Sequence, residues 1–262
     1  MRQLFRIVAT FLRLGALNEL EYRANFFIQA FQAVLNLLVA LGGLQIVFAQ
    51  TETLGGWQPA ELLALVGVYQ IVGGLIQTVI NPSMQRFMED VRKGTLDFAL
   101  TKPADAQLLV SVREFRVWRM IDVLLGVTVL IVALVRLGAQ VGALQALLFG
   151  ITLLCGSAIV YSFWLILATF SFWFVRVENI LVIFRSMYQA GRWPVGIYPR
   201  WLRVTLTFIV PVAFAVTIPA RGLVGRLDLT ALLQAAALAL VLLLVSRLFW
   251  RIGLRAYSGA SA

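Results

Sequence analysis

ALQALLFGITLLCGSAIVYSFWLILATFSFWF, residues 143–174, contains no Asp, Glu, Lys or Arg. A helix needs about 20 mostly apolar residues to cross the hydrocarbon of a bilayer, and this run exceeds that length. Inside hydrocarbon every backbone N–H and C=O must be satisfied within the segment, so the run reads as a spanning helix. Leu229–Leu248 repeats the pattern, with Arg247 its sole charge. The composition agrees. Hydrophobic residues make up 61% of the chain and charged residues 13%, with a mean hydropathy of +0.91; soluble domains carry roughly a quarter charged residues. The 262 residues form one membrane domain over 1–262, without room for a soluble domain of ordinary size.

Working outward, span one runs over Phe26–Ala49, span two over Leu62–Ile80, span three over Val117–Val135, span four within Ala143–Phe174 and span six over Leu229–Leu248. Basic residues cluster before span one (Arg2, Arg6, Arg13, Arg23), between spans two and three, and after span six (Arg247, Arg251, Arg255); the loop Gln50–Pro59 has none. The positive-inside rule then puts both termini in the cytoplasm and makes the number of spans even. Trp118, Trp173 and Trp250 fall near the inner boundary and Trp57 near the outer one. The net charge of +10 thus belongs to lipid and sidedness. No basic stretch is interleaved with aromatics on a soluble face, so nucleic acid is not expected as a partner. The N-terminus lacks the pattern of a cleavable signal. Arg2, Arg6 and Arg13 share one helical face, with Leu4, Val8, Phe11 and Leu12 pointing away. Residues 1–24 therefore read as an interfacial amphipathic helix.

Arg176–Arg226 admits two readings. Val204–Ala220 as span five satisfies the charge rule, but it is short and broken by Pro211 and Pro219. Asn179–Gly196 as span five leaves residues 197–225 to dip into the outer leaflet and return, and places Arg185 inside the membrane. Hydropathy alone favours the first.

Between spans two and three, Asn81-Pro82 has the form of a helix start, Asn as N-cap and Pro at the first helical position. Gly94 ends the helix. Met84, Phe87, Met88 and Val91 form an apolar stripe at i, i+3, i+4 and i+7. Such a stripe docks into a partner's groove or lies on lipid and the inner ends of the chain's own spans; periodicity does not choose between them.

The run Val91-Arg92-Lys93-Gly94-Thr95-Leu96-Asp97-Phe98-Ala99-Leu100-Thr101-Lys102-Pro103 resembles the R-x-G-x-L-D-x-x-L-x-x-P signature of ABC-2-type transporter permeases of bacteria. Tyr198-Pro199-Arg200-Trp201-Leu202, then Pro211, then Arg221-Gly222, is similar to the pattern that follows the fifth span in that family, though here Ile218-Pro219-Ala220 precedes the Arg and no long outer loop is present. The resemblance implies an all-α membrane fold of six transmembrane helices. It adds a cytoplasmic coupling helix over 82–94, and a re-entrant outer segment over 197–225 that makes Asn179–Gly196 span five. It also implies a permease of the bacterial cytoplasmic membrane that pairs with a second copy or a paralogous permease. Two cytoplasmic ABC ATPase subunits would use ATP and Mg, docked on Met84, Phe87, Met88, Val91, Gly94 and Asp97.

The chain lacks a P-loop of its own: its only lysines are Lys93 and Lys102, and neither follows the required glycine spacing. ATP hydrolysis is therefore expected on another chain, with no cofactor bound here. With no His and a single Cys155, neither a metal cluster nor a membrane enzyme is expected. Polar residues recur within the spans. Gln29, Gln32 and Asn36 form a stripe on span one; span two adds Tyr69, Gln70 and Gln77, and span five adds Arg185, Ser186, Tyr188 and Gln189. Each alone reads as an interhelical hydrogen bond. Together they read as a polar path for cargo. Asp122, one turn from Arg119, reads as a local ion pair. Small outer loops and an apolar interior point to an amphiphilic or hydrophobic substrate, exported as a lipid, lipid-linked metabolite or drug. The competing class is a secondary transporter, which calls for inverted repeats and buried acids.

Overall fold

The computed structural model describes residues 23–138, 142–174 and 178–257. The interfacial helix expected over 1–24 lies outside them, apart from its last two residues. Helix makes up 83% of the structure, and the described residues contain no β-strand. Among the described residues five helices are long and apolar enough to cross a membrane: Phe26–Phe48, Pro59–Lys93, Val117–Leu137, Ala143–Phe172 and Leu229–Ala256. A bent pair, Arg200–Ile209 with Ala213–Leu223, makes up to six if it counts as one span.

α1 (Arg23–Phe48) lies on the periphery. It touches the bundle along Ala33, Leu37 and Leu44, a stripe on one face, while Phe27, Phe31, Leu38 and Ile46 stay exposed. α2 (Pro59–Leu75) is the central helix and packs along α6 (Met120–Leu137). The two backbones nearly touch. A Cβ on Gly126 would lie 2.7 Å from the Ile71 nitrogen, and one on Gly67 would lie 3.0 Å from the Gly126 oxygen. Small residues allow this approach where no hydrophobic force separates helix from lipid.

α2 does not stop at Asn81. It passes through a π-turn, Ile76–Ile80, into α3 (Asn81–Lys93) as one rod. Asn81 is helical, with φ −61° and ψ −49°, so it is not the N-cap expected from Asn81-Pro82. Pro82 has no N–H to give the Thr78 carbonyl. The Arg116 N–H takes that carbonyl instead, at 2.9 Å, and Ser83 Oγ bridges the Glu114 oxygen and nitrogen at 3.0 and 3.2 Å. The proline thus leaves a docking point for the chain that leads into α6 rather than a helix start.

α3 ends at Gly94 in the left-handed conformation (φ 69°), with the Thr95 N–H bonded to the Asp90 oxygen at 2.9 Å. Two short helices follow, α4 (Asp97–Leu100) and α5 (Ala106–Ser111), the latter capped by Asp105. α7 (Ala143–Thr169) and α11 (Leu229–Ala256) lie side by side and parallel: Ile159 packs with Ala235 and Ala239, and Gly253 meets Thr169 and Phe172. The chain must therefore return across the bundle between them. It does so in pieces. α8 (Glu178–Gln189) is only 12 residues, about 18 Å, and single turns at Ala190–Arg192 and Val195–Ile197 flank Pro194. The expected span Asn179–Gly196 is thus not one continuous helix, because Pro194 breaks it.

Residues 197–226 begin and end beside the α1–α2 loop. Ile197 Cγ2 abuts Gly55, and Arg226 donates to the Gly56 oxygen at 2.6 Å and pairs with Glu61 at 2.9 Å. Between these points α9 (Arg200–Val204, extended by a π-turn to Ile209) meets the Ala213–Thr217 turn and α10 (Ile218–Leu223) at 78°. The elbow, Val210-Pro211-Val212, packs beside Val160, Trp164 and Tyr188, in the middle of the bundle.

Candidate functional site

A polar cavity of about 290 Å³ lies among α1, α2, α6, α7, α8 and the turn after α8. Six of the eight residues expected to line a path meet there: Asn36, Gln70, Gln77, Arg185, Tyr188 and Gln189. They are joined by Tyr69, Gly73, Gly74, Trp164, Arg119, Asp122 and Arg192. Gln29 and Gln32 do not reach it. Gln32 is exposed on the flank of α1, and Gln29 lies two turns from Asn36, away from the cavity lining.

The cavity wall is set by α2 and α8. The Tyr188 hydroxyl donates to the Tyr69 carbonyl at 2.9 Å, and the two rings stack with centroids 4.9 Å apart. Tyr188 lies against Gly73, where a Cβ would stand 3.4 Å from the tyrosine ring. The Arg192 guanidinium sits over the Tyr69 ring, 5.8 Å from its centroid. On the opposite wall Asp122 accepts from Gln70 Nε2 at 3.3 Å and pairs with Arg119 at 3.7 Å. Asp122 and Arg119 are thus the ion pair expected from their spacing, but they also line the cavity. Arg192 went unnoticed in the sequence although its spacing announces it: Arg185, Tyr188, Gln189 and Arg192 follow i, i+3, i+4, i+7.

Asp122 is the single carboxylate among the described lining residues, against three arginines. The Nε atoms of Arg185 and Arg192 are buried without a hydrogen-bond partner. Along the same α1–α2–α6 seam runs a mainly apolar groove of about 800 Å³, lined by Leu37, Leu41, Leu44, Phe48, Val129 and Val132 and, among polar residues, by Gln45, Thr128 and Arg136.

At the opposite end of the rod from the α1–α2 loop, the apolar stripe is turned inward. Met84, Phe87 and Met88 are fully buried, and Phe87 packs on Phe172 and Trp250 at 5.5 and 5.0 Å. Val91 is half-buried. Within the chain the stripe is covered by the ends of α7 and α11 at Phe172 and Trp250, so these side chains are not open on the surface. The side chains offered outward lie one turn later. Leu96 and Ala99 anchor α4, while Phe98 is 70% exposed and Leu100 stands out beside it. Gly94 forms the bend, and Asp97 opens α4. The mount is stiff. Asp90, 1% exposed, accepts from Thr95 at 2.9 Å and pairs with Arg113 and, at 3.4 Å, Arg86. Asp105 binds Arg247 of α11, which also donates to Gln107 at 2.8 Å; Ser111 and Tyr161 lie 2.7 Å apart, tying α5 to α7. The Arg247 guanidinium holds the Asp105 carboxyl below the usual range.

Among the described residues no group of three or more His, Cys, Asp or Glu side chains is placed to hold a metal. No curated protein and no solved structure matches the chain. Residues 34–261 match the family model described as ABC-2 family transporter protein, whose members are membrane subunits that are not themselves catalytic. The match covers nearly the whole described bundle, cavity and α4 included, and the chain therefore belongs to the ABC-2 family of transporters as a multi-pass membrane permease.

Proposed function

We propose that the chain is the permease subunit of an ATP-driven exporter in the bacterial cytoplasmic membrane, moving an amphiphilic or hydrophobic substrate outward by alternating access. Two permeases, identical or paralogous, would work with two cytoplasmic ATPase subunits that hold ATP and Mg. The observation that carries the reading is the cavity: three arginines and several amides are gathered in one recess of an otherwise apolar bundle, where polar groups are costly and mark a transport path.

Coupling is assigned to α4 rather than to the stripe on α3. Phe98 and Leu100 project from a bend whose footing is buried, and Asp105–Arg247 links that footing to α11. A push on α4 therefore reaches the bundle through side chains with little slack. Residues 197–226 support an outward-opening re-entrant segment, since both ends meet the α1–α2 loop and the elbow reaches Tyr188. In this arrangement both termini and α4 face the cytoplasm.

The test is assembly. Co-expressed with its ATPase, the permease should purify as a complex whose hydrolysis responds to substrate. Phe98→Asp should leave the purified permease's melting temperature unchanged but abolish co-purification, because it sets a charge in an apolar contact. A permease that transports without any ATPase would instead be a secondary transporter.

A further inference from the structure

We infer that the cargo is an anionic amphiphile, whose oxyanionic headgroup sits between Arg185 and Arg192 and whose tail lies in the groove along α1. The inference rests on the proposed function for one point only, that the cavity receives cargo.

Charge comes first. Arg119 has Asp122, and Asp122 is also held by Gln70. Arg185 and Arg192 have no carboxylate among the described residues, and the Nε of each is buried and unbonded. Arg192 has Tyr69, through its ring face and its phenol oxygen, and no described carboxylate. Two guanidiniums at membrane depth without a counter-ion favour a planar or tetrahedral oxyanion, which a guanidinium fork binds in two-point fashion. Gln189 and Asn36 add amide donors at the rim. A cationic or purely apolar cargo would leave both arginines unanswered.

The shape supplies the tail. The cavity opens sideways: Asn36 and Gln189 are exposed, among the exposed apolar residues Leu35, Val39 and Ile183. At about 290 Å³ it suits a headgroup and is at the small end of ligand pockets, which run about 300–1,000 Å³. The mainly apolar groove lies further along the same three helices, α1, α2 and α6. Consecutive residues Asn36 and Leu37 line the two, and on α6 the cavity's Asp122 is followed six residues later by the groove's Thr128, about 9 Å along the helix. A molecule with its oxyanion at Arg185 therefore finds an apolar channel for its chain along the same seam.

The detergent-purified full chain, in a neutral maltoside, is titrated calorimetrically with dodecyl phosphate, dodecyltrimethylammonium and sodium phosphate. Dodecyl phosphate should bind at least about tenfold more tightly than either of the others. The double substitution Arg185→Gln with Arg192→Gln should weaken it by about tenfold or more, while the paired Lys substitutions keep most of the affinity. Val132→Trp, which fills the groove, should weaken dodecyl phosphate and leave sodium phosphate unchanged. Equal binding of the cationic and anionic amphiphiles overturns the inference without recourse to any variant. Sodium phosphate binding as tightly as dodecyl phosphate makes the ligand a free anion and overturns it too. Because no ATPase is present, failure of the permease to assemble with one would overturn export while leaving these titrations to stand, and the converse also holds.

Discussion

Asp90, at the end of the rod, and Arg185, in the cavity, are both charged groups held away from bulk water. Asp90 is enclosed by Arg113, Arg86 and Thr95, and its oxygens are taken. Arg185 faces a cavity in which the only described carboxylate is already engaged by Arg119 and Gln70. Desolvating a charge is costly in both places. At Asp90 the surrounding side chains answer that cost within the fold, so the cluster fixes geometry: it holds the bend at Gly94 that presents α4. At Arg185 the answer is missing from the described protein, so the cluster keeps its capacity for a ligand.

The largest expected effect comes from breaking the saturated cluster. Asp90→Ala leaves Arg113 without its carboxylate and Arg86 with Glu89 alone; both arginines are partly hydrated, so the loss is about 3 kcal/mol. Against a total stability of about 5–15 kcal/mol, the variant should express poorly and show a sharply lowered melting temperature in detergent. An unchanged melting temperature would mean that Asp90 does not organise the bend.

Asp122→Asn tests the cavity's partly answered charge. The amide can still meet Gln70 but no longer neutralises Arg119, at a cost of about 1–3 kcal/mol. The lost negative charge also raises the positive potential in the cavity, so dodecyl phosphate should bind more tightly as the protein becomes less stable. Opposite movements of melting temperature and affinity distinguish this site from Asp90, where stability alone should move.

Asp105 is a third case, partly exposed and paired to Arg247, with one contact at 2.9 Å. Its folded carboxyl titrates below the ordinary value. A depressed carboxylate contributes stability that is present above its unfolded pKa and is lost as the pH falls through the folded one. With both side chains about a third exposed, solvent screens the pair to under about 1 kcal/mol. Asp105→Asn keeps a good helix cap for Leu108. The variant should therefore melt slightly below wild type at neutral pH and match it in acid below the ordinary carboxylate range. A gap that persists in acid would assign the loss to the cap instead of the ion pair.

Much of the bundle was legible because hydrocarbon imposes length and apolarity: the five long helices begin or end within a few residues of the expected spans. Asn36, Gln70, Gln77, Arg185, Tyr188 and Gln189 were legible for a related reason, since polar groups in a span must meet protein or water. Two elements are decided by tertiary packing beyond the reach of local pattern. Asn81-Pro82 has the composition of a helix start, but the Thr78 carbonyl that Pro82 frees is taken by Arg116, 34 residues beyond Pro82, and no local pattern reports that. The Met84–Val91 stripe has the periodicity of a docking face. Which apolar surface covers it depends on Phe172 and Trp250, brought there by the parallel packing of α7 and α11. The break at Pro194 was visible as a proline; what it does to span five depends on how α8 meets α2.

The smallest expected change in stability is at the unsaturated cluster. Arg185→Gln removes a guanidinium whose Nε makes no hydrogen bond and whose charge has no carboxylate opposite it among the described residues. An arginine at the centre of a spanning segment is unfavourable by about 2.5–3.5 kcal/mol on an insertion scale, and the cavity's polar lining already offsets part of that. Gln keeps part of the aliphatic stem and can bond the neighbouring amides, so little packing is lost. The melting temperature in detergent should stay at or slightly above that of wild type, in contrast with Asp90→Ala. Adding dodecyl phosphate should raise the wild-type melting temperature by preferential binding to the folded state, and that rise should shrink in Arg185→Gln. A fall as large as that of Asp90→Ala would mean that Arg185 is answered from within the protein, and the contrast between the two clusters would disappear.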